Sequence, residues 1–389
     1  VNRGLDASLQ AGLTLEANHF AILAGTHDMA EGTAVPIIYK LSPGVRNQSN
    51  RSLFMKLRSI VGVCTLMFII FGTLSVVNAQ NGYKISAPYT HKNLTIFLLH
   101  GKNESTKSNV MTLQEAMERR VFTVYETSNV NELEVENLSK EFDVFIQSGD
   151  IVKGGKQDRI LAISIIIPAR SGRVRIEAFC VESGRWTKRG NEDSSKFDSS
   201  NDRVVTKELK MAANAARSQE EVWSRVTDAQ ARLSKNVGGS VASGKSASSL
   251  QLSLENEKVI ANVDEYVQAL NGIVNGKSDV IGYAFAINGK INSADVYVSN
   301  ALFKKLWAKM LKASATEAVA ESRSVRLADP VKAESVKGFM DDSDKAKAKE
   351  QSVGAGARLV TRENKDNVMF ETRDEKSKAV VHKSYVKKH

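Results

Sequence analysis

Between Ser59 and Val77 the chain carries no charged side chain, and Ile, Val, Leu, Phe and Met dominate. Met55-Lys56-Leu57-Arg58 precedes this run as a short basic head. Val77-Asn78-Ala79 closes it with small residues ahead of Gln80. A basic head, an apolar middle and a small-residue exit describe a secretory signal peptide. The run has 19 residues, near the ~20 that a spanning helix needs. Gly62, Thr65 and Gly72 dilute it, however, and the exit favours cleavage over an uncleaved anchor. Cys64 follows Val63 and lies too early in the run for a lipoprotein cysteine.

Cleavage there leaves Gln80 to His389 as the mature chain, 310 residues long. Six basic and four acidic residues precede Gln80, which leaves 48 against 40, a net charge of +8. That balance suits an anionic ligand or surface. It does not imply nucleic acid, because no basic cluster is interleaved with aromatics. Only Cys180 remains, so no intramolecular disulfide forms and no cysteine zinc site is available. The six histidines include no His-x-x-x-His pair, and no metal site is expected. Membrane contact is expected only through residues 59–77, and only if the signal stays uncleaved.

Residues 80–185 read as strand-rich. Leu94 to Leu99 is β-branched and apolar, Val121 to Tyr125 alternates, and Phe142 to Ile146 is a short apolar run. Leu161 to Ile167 reads as one central strand buried on both faces. Val174 to Phe179 alternates again after a turn at Ser171-Gly172. Thr112 and Glu115 have capping-box spacing. Residues 188–202 are charged and Ser/Asp-rich and read as a loop. Helical periods follow in Val204 to Leu233 and Leu254 to Val274, with Val259, Val263, Tyr266 or Val267, and Leu270 on one face. Asn288-Gly289 predicts a tight hairpin between strands 280–287 and 291–298. Ser299 caps a helix that buries Leu302, Phe303, Leu306, Met310 and Leu311.

The expected class is α+β: a mixed or antiparallel sheet with packed helices, an N-terminal signal helix and a short C-terminal β meander. The expected division is a signal peptide at 55–79, a main domain at 80–320, a linker or exposed helix at 321–357, and a meander with a basic tail at 358–389.

Three motifs carry chemistry. Gly239-x-x-x-x-Gly244-Lys245-Ser246 matches the phosphate-loop consensus, but a helical, polar segment leads into it where that loop needs a buried strand. It reads as a flexible loop between helices. Lys153-Gly154-Gly155-Lys156-Gln157-Asp158-Arg159 sits between two apolar strands. Its glycines expose backbone N–H groups, and Lys153, Lys156 and Arg159 add positive charge, a pattern that holds phosphate or carboxylate. On composition alone, a hairpin connection with solvated lysines and an Asp158–Arg159 pair bracing the turn describes it better. Cys180-Val181-Glu182-Ser183-Gly184-Arg185-Trp186 lies at a strand end. There Arg185 and Trp186 suit a base or carboxylate, and Glu182 suits a general base. An internal Glu–Arg pair under a Trp lid is the competing arrangement. Cys180 reads as a buried small hydrophobe with no histidine placed to activate it.

Two resemblances follow. Asn2-Arg3-Gly4-Leu5-Asp6 through Thr26-His27-Asp28-Met29 resembles the last helices of an enoyl-CoA hydratase of the crotonase family, over residues 1–34. The segments that carry that family's oxyanion hole and carboxylates are missing, so no hydratase activity is expected. Residues 35–54 read as translated spacer. The expected origin is a frameshift or readthrough that joined this remnant to a neighbour starting at Met55.

The loops at Gly154-Gly155-Lys156 and Glu182-Ser183-Gly184-Arg185-Trp186, with Gly282-Tyr283-Ala284-Phe285-Ala286-Ile287-Asn288-Gly289-Lys290, Asp295, Leu302-Phe303 and Leu306, resemble a second family. This is the ARG and Rhodanese-Phosphatase-superfamily-associated protein domain, over roughly residues 85–320. That resemblance implies a link to ADP-ribose or related nucleotide metabolism, and it implies no catalytic residues.

The expected function is therefore an exported, periplasmic or extracellular binding module for a small anionic or ADP-ribose-related ligand. Its candidate ligand-binding residues are Lys153, Gly154, Gly155, Lys156, Arg159, Arg185 and Trp186. The alternatives are a hydrolase of an ADP-ribosyl or phosphate substrate using Glu182 or Asp158, and a purely structural envelope protein. No cofactor is specified.

Overall fold

The computed structural model describes residues 77–78, 82–104, 109–127, 129–185, 187–203, 206–322, 330–353, 356–375 and 377–389. All of them fall in the compact unit Thr73–His389. The expected signal helix, the crotonase-like residues 1–34, the spacer 35–54 and Trp186 lie outside the described residues.

Strands and helices are numbered in chain order. The largest sheet has ten strands. From one edge they are β1 (Val77–Asn78), β2 (Lys84–Ile85), β4 (Leu94–His100), β14 (Val280–Ile287), β15 (Lys290–Tyr297), β19 (Val380–Lys387), β18 (Asn367–Asp374), β17 (Ala357–Glu363) and β16 (Lys347–Ser352). The tenth, β3 (Tyr89–His91), pairs with β4. A six-stranded sheet runs β13 (Phe197–Arg203), β9 (Asp150–Gly154), β10 (Arg159–Leu161), β12 (Arg173–Cys180), β7 (Glu132–Asn137) and β6 (Phe122–Glu126). A three-stranded sheet holds β11 (Ile165–Ile167), β8 (Asp143–Ile146) and β5 (Val110–Thr112), with β5 and β8 parallel. The helices are α1 (Leu113–Glu118), α2 (Lys207–Met211), α3 (Gln219–Asn236), α4 (Leu250–Leu254), α5 (Glu257–Leu270), α6 (Asn300–Ala320) and α7 (Ala333–Lys345). The class is α+β with a C-terminal meander.

Local sequence accounts for these elements. Asn288 and Gly289 take φ of 52° and 73°, the left-handed pair that a two-residue hairpin loop requires. Thr112 and Glu115 form a full capping box at α1. Ser299 accepts from the Leu302 N–H at the start of α6. In β4 the side chains alternate: Leu94, Ile96 and Leu98 join the main core, while Phe97 and Leu99 join Val336, Phe339 and Met340 of α7. The large sheet is thus covered on both faces, which is why all eight residues of β14 are buried.

Three expectations are corrected. Leu161 to Ile167 is not one strand. It leaves the six-stranded sheet after Leu161 and enters the three-stranded sheet at Ile165. The crossing residue Ser164 spends its hydroxyl on a side chain and a backbone N–H elsewhere in the fold. Residues 197–203 are not loop: β13 pairs with β9, with Phe197 opposite Gly154. Tertiary pairing overrides a polar composition there. The division at residue 320 also fails. The face of α7 with Val336, Phe339 and Met340 is buried, and β19 pairs with β15 along Ser293–Tyr297. The meander supplies four of the ten strands of the main sheet.

Candidate functional site

The two loops singled out from the sequence do converge, but on each other. Asp158 is fully buried. It accepts from the Gly154 N–H at 2.8 Å, Ser249 Oγ at 2.8 Å and Arg189 Nη1 at 2.8 Å. Glu182, also fully buried, takes Arg185 through two bonds of 2.7 Å. Arg185 further donates to the Gly154 and Gly155 carbonyls at 3.3 and 3.2 Å.

The remaining charges are likewise matched. Lys153 pairs with Glu255 at 2.6 Å, and Arg159 pairs with Glu126 at 3.2 Å while contacting the Cys180 thiol. Lys156 is half-buried. Gly155 has φ of +55°, and a Cβ there would stand 2.4 Å from the Phe197 ring, so that ring occupies the space above the turn.

This arrangement corrects the sequence-based assignments. The Lys153–Arg159 and Glu182–Arg185 loops brace one another, and their cations already hold carboxylates. Asp158 and Glu182 are unsuited to general-base work. Burial alone would raise the Glu182 carboxyl, but Arg185, Ser246 and the Asp158 N–H outweigh it and hold it below the usual range. Burial pushes the Cys180 thiol up to about 11, which leaves it inert. The phosphate-loop match follows helix α3 rather than a strand, so the geometry that motif needs is missing.

A different constellation lies where β10, β19 and β15 approach. His382, on β19, is 2% exposed. Its Nε2 is 3.1 Å from Asp295 Oδ1, and its Nδ1 is 2.9 Å from Ser164 Oγ. Burial alone would raise Asp295, but His382, Arg203 and Lys210 outweigh it and bring the carboxyl from the ordinary 3.8 down to about 2. An ionised Asp295 fixes the imidazole tautomer with the proton on Nε2, leaving Nδ1 to accept from Ser164. Ser164 Oγ in turn accepts the Ser148 N–H at 3.0 Å. Tyr297 stacks on the imidazole with ring centroids 4.8 Å apart.

Polar groups continue inward from this chain. Arg203 is buried, donates to the Ser148 carbonyl at 2.6 Å, and leaves its Nε without a hydrogen-bond partner. Lys210, buried beside it, bonds Ser293 Oγ at 3.4 Å, and burial lowers its pKa. Gly282 permits this packing, because a Cβ there would stand 2.2 Å from the Asp295 carbonyl. A cavity of about 20 Å³ adjoins the chain, lined by Ser148, Ser164, Asn214, Arg217, Thr372 and His382 among others. That is room for about one water-sized group. Its wall includes the π-helical turn Ala212–Ala216 and the left-handed Arg217 at φ 51°. Such irregularities concentrate at functional sites.

Residues 82–386 match the ARG and Rhodanese-Phosphatase-superfamily-associated Protein domain. The chain belongs to this family. No curated protein and no solved structure matches it. The ARG and Rhodanese-Phosphatase-associated domain therefore extends past residue 320 and takes in β19 with His382. Residues 1–34 fall outside the match, which does not show the crotonase remnant expected there.

A second polar group in this ARG and Rhodanese-Phosphatase-associated domain lies in a cleft of about 450 Å³ beside Lys207, Glu208, Arg232 and Glu321. Ligand oxygens of Glu208, Glu317 and Glu321 lie within 4.8 Å of one another, close enough for a cation. Arg232 supplies counter-charge there, 3.6 Å from Glu208 and 3.5 Å from Glu321. Burial, then Glu317 and Glu208, raise the Glu321 carboxyl. The contribution of a carboxyl raised in the folded state is full below the ordinary carboxylate pKa and is lost as pH rises through the raised value. Glu321→Gln is expected to flatten that slope and raise the melting temperature at pH 8 by about 2 °C, as thermal unfolding across pH would read.

Sequence reasoning missed Ser164, His382 and Arg203. His382 is a lone histidine in an alternating strand, 218 residues from Ser164, and no local pattern marks it. Asp295 stood among the family-like residues, but without its partners.

Proposed function

We propose that the chain is a ligand-binding module whose site is the cavity beside Ser164, and that it takes a small ligand ending in phosphate or carboxylate. The buried Ser164–His382–Asp295 chain opening onto that cavity is the observation that carries this reading. Hydroxyls of Ser148 and Thr372, the Asn214 amide and the Arg217 guanidinium line the same space, together with Glu177. Arg217 is paired with Glu177 and Ser148 Oγ donates to Asn214 Oδ1 at 2.7 Å, so an oxyanion end group binds by displacing Glu177 from Arg217. Only one oxygen of the end group fits inside. The body of the ligand lies over the open side.

The family's named association with ARG and rhodanese-phosphatase proteins makes ADP-ribose, NAD and sugar phosphates the first ligands to try. A thermal-shift panel tests the reading. A ligand at a hundredfold excess over its Kd adds about 2.7 kcal/mol to the folded state. A shift that Arg217→Ala removes is the expected result; a flat panel contradicts it.

We further propose export, on the strength of the signal-like segment 55–79. Cell fractionation that finds the mature domain outside the cytoplasm supports this, and cytoplasmic protein retaining residues 55–79 contradicts it. No helix among the described residues is long and apolar enough to cross a membrane.

A further inference from the structure

We infer that Ser164 is a nucleophile, with His382 as its general base and Asp295 as the group that orients the base, acting on a small ester whose oxyanion end sits in the cavity. This deepens the binding site proposed above and rests on it. A serine hydroxyl becomes nucleophilic when an imidazole within hydrogen-bond reach takes its proton and a carboxylate holds the opposite ring nitrogen. Here those distances are 2.9 Å and 3.1 Å. The ring is used in the reverse sense from the usual serine triad, since Nδ1 rather than Nε2 faces the hydroxyl. Either nitrogen can serve once the carboxylate fixes the tautomer.

The surroundings fit the chemistry in three independent ways. Asp295 is buried and stays ionised, so it stabilises an imidazolium as it forms. Tyr297 stacked on the ring restricts its rotation. Ser164 is pinned at the crossing between two sheets by the Ser148 N–H, and that crossing interrupts what would otherwise be one continuous strand.

The step balances as follows. Ser164 Oγ forms a bond to the electrophilic carbon or phosphorus while its proton passes to His382 Nδ1. The bond to the leaving oxygen breaks, and that oxygen departs with the proton from His382. Water then repeats the sequence in reverse to release the acid and free Ser164. Asn214 and Arg217 line the cavity beside Ser164, with Arg217 held by Glu177; freed from Glu177, its guanidinium is the cation that charge developing on the substrate oxygen would meet.

The test uses the full chain and diisopropyl fluorophosphate. Attack by Ser164 forms an Oγ–P bond, breaks P–F and releases fluoride, with the proton taken by His382. Intact mass and peptide mapping are expected to find one adduct, on Ser164. Ser164→Ala abolishes it, and His382→Gln slows labelling by about 100-fold or more. Near-UV circular dichroism shows whether His382→Gln is folded. If it is not, Ser164→Cys replaces it: iodoacetamide is expected to alkylate Cys at 164 faster than the inert Cys180. No adduct on the wild type, an adduct that survives Ser164→Ala, or a thiol at 164 as slow as Cys180 overturns the inference. Labelling at Ser164 with a flat ligand panel overturns only the ligand reading. A ligand shift with Ser164 unlabelled overturns only the nucleophile.

Discussion

Asp295→Asn is expected to lower the melting temperature by about 10 °C at pH 7. The carboxylate is 2% exposed, and His382, Arg203 and Lys210 all depend on its charge. Removing one partner of a buried ionic group leaves the others uncompensated, at a cost of roughly 3–5 kcal/mol. Its pH dependence follows from the depressed pKa. A carboxyl lowered from 3.8 to about 2 contributes stability that is present above the unfolded value and lost as pH falls through the folded one. The wild type should therefore lose about 2 kcal/mol from this group between pH 5 and 1, and Asp295→Asn should lack that component. Urea unfolding at a series of pH values reads both effects. Equal acid slopes in the two proteins would show that Asp295 does not carry the charge balance of this centre.

Asp158→Asn is expected to cost about 3 kcal/mol while leaving ligand binding intact. Asp158 holds Arg189, Ser249 and the Gly154 N–H in a space closed to solvent. The substitution strands a buried guanidinium, although Glu192, 3.0 Å from Arg189, keeps part of the compensation. The pairing of large destabilisation with unchanged binding separates a brace from a site. A lost ligand shift in Asp158→Asn, measured below its melting temperature, would return function to the Gly154-Gly155 loop.

Local patterns in the sequence carried much of the fold but not the long-range pairing of the loop charges. The Asn288-Gly289 turn, the Thr112–Glu115 box and the Val259–Val263–Tyr266–Leu270 face each depend on neighbours a few residues apart, and each forms as its pattern implies. The polar strand β13 and the break at Ser164 depend on partners far along the chain. So does the fate of the cations: Lys153 meets Glu255, and Arg159 meets Glu126. A run of Lys, Gly and Arg reads as a free anion cradle only until the carboxylates that neutralise it are located. The Ser164–His382–Asp295 chain joins three distant segments, and only the strand order β14, β15, β19 brings His382 to Asp295.

The central claim is that ligand enters beside Ser164 rather than at the Gly154-Gly155 loop. Isothermal titration of the ligand that shifts the wild type most, into Arg217→Ala and Lys156→Ala in parallel, tests it most directly. The account predicts that Arg217→Ala weakens binding at least about tenfold, a loss of roughly 1.4 kcal/mol, while Lys156→Ala binds as the wild type does. Binding lost in Lys156→Ala and kept in Arg217→Ala would contradict it.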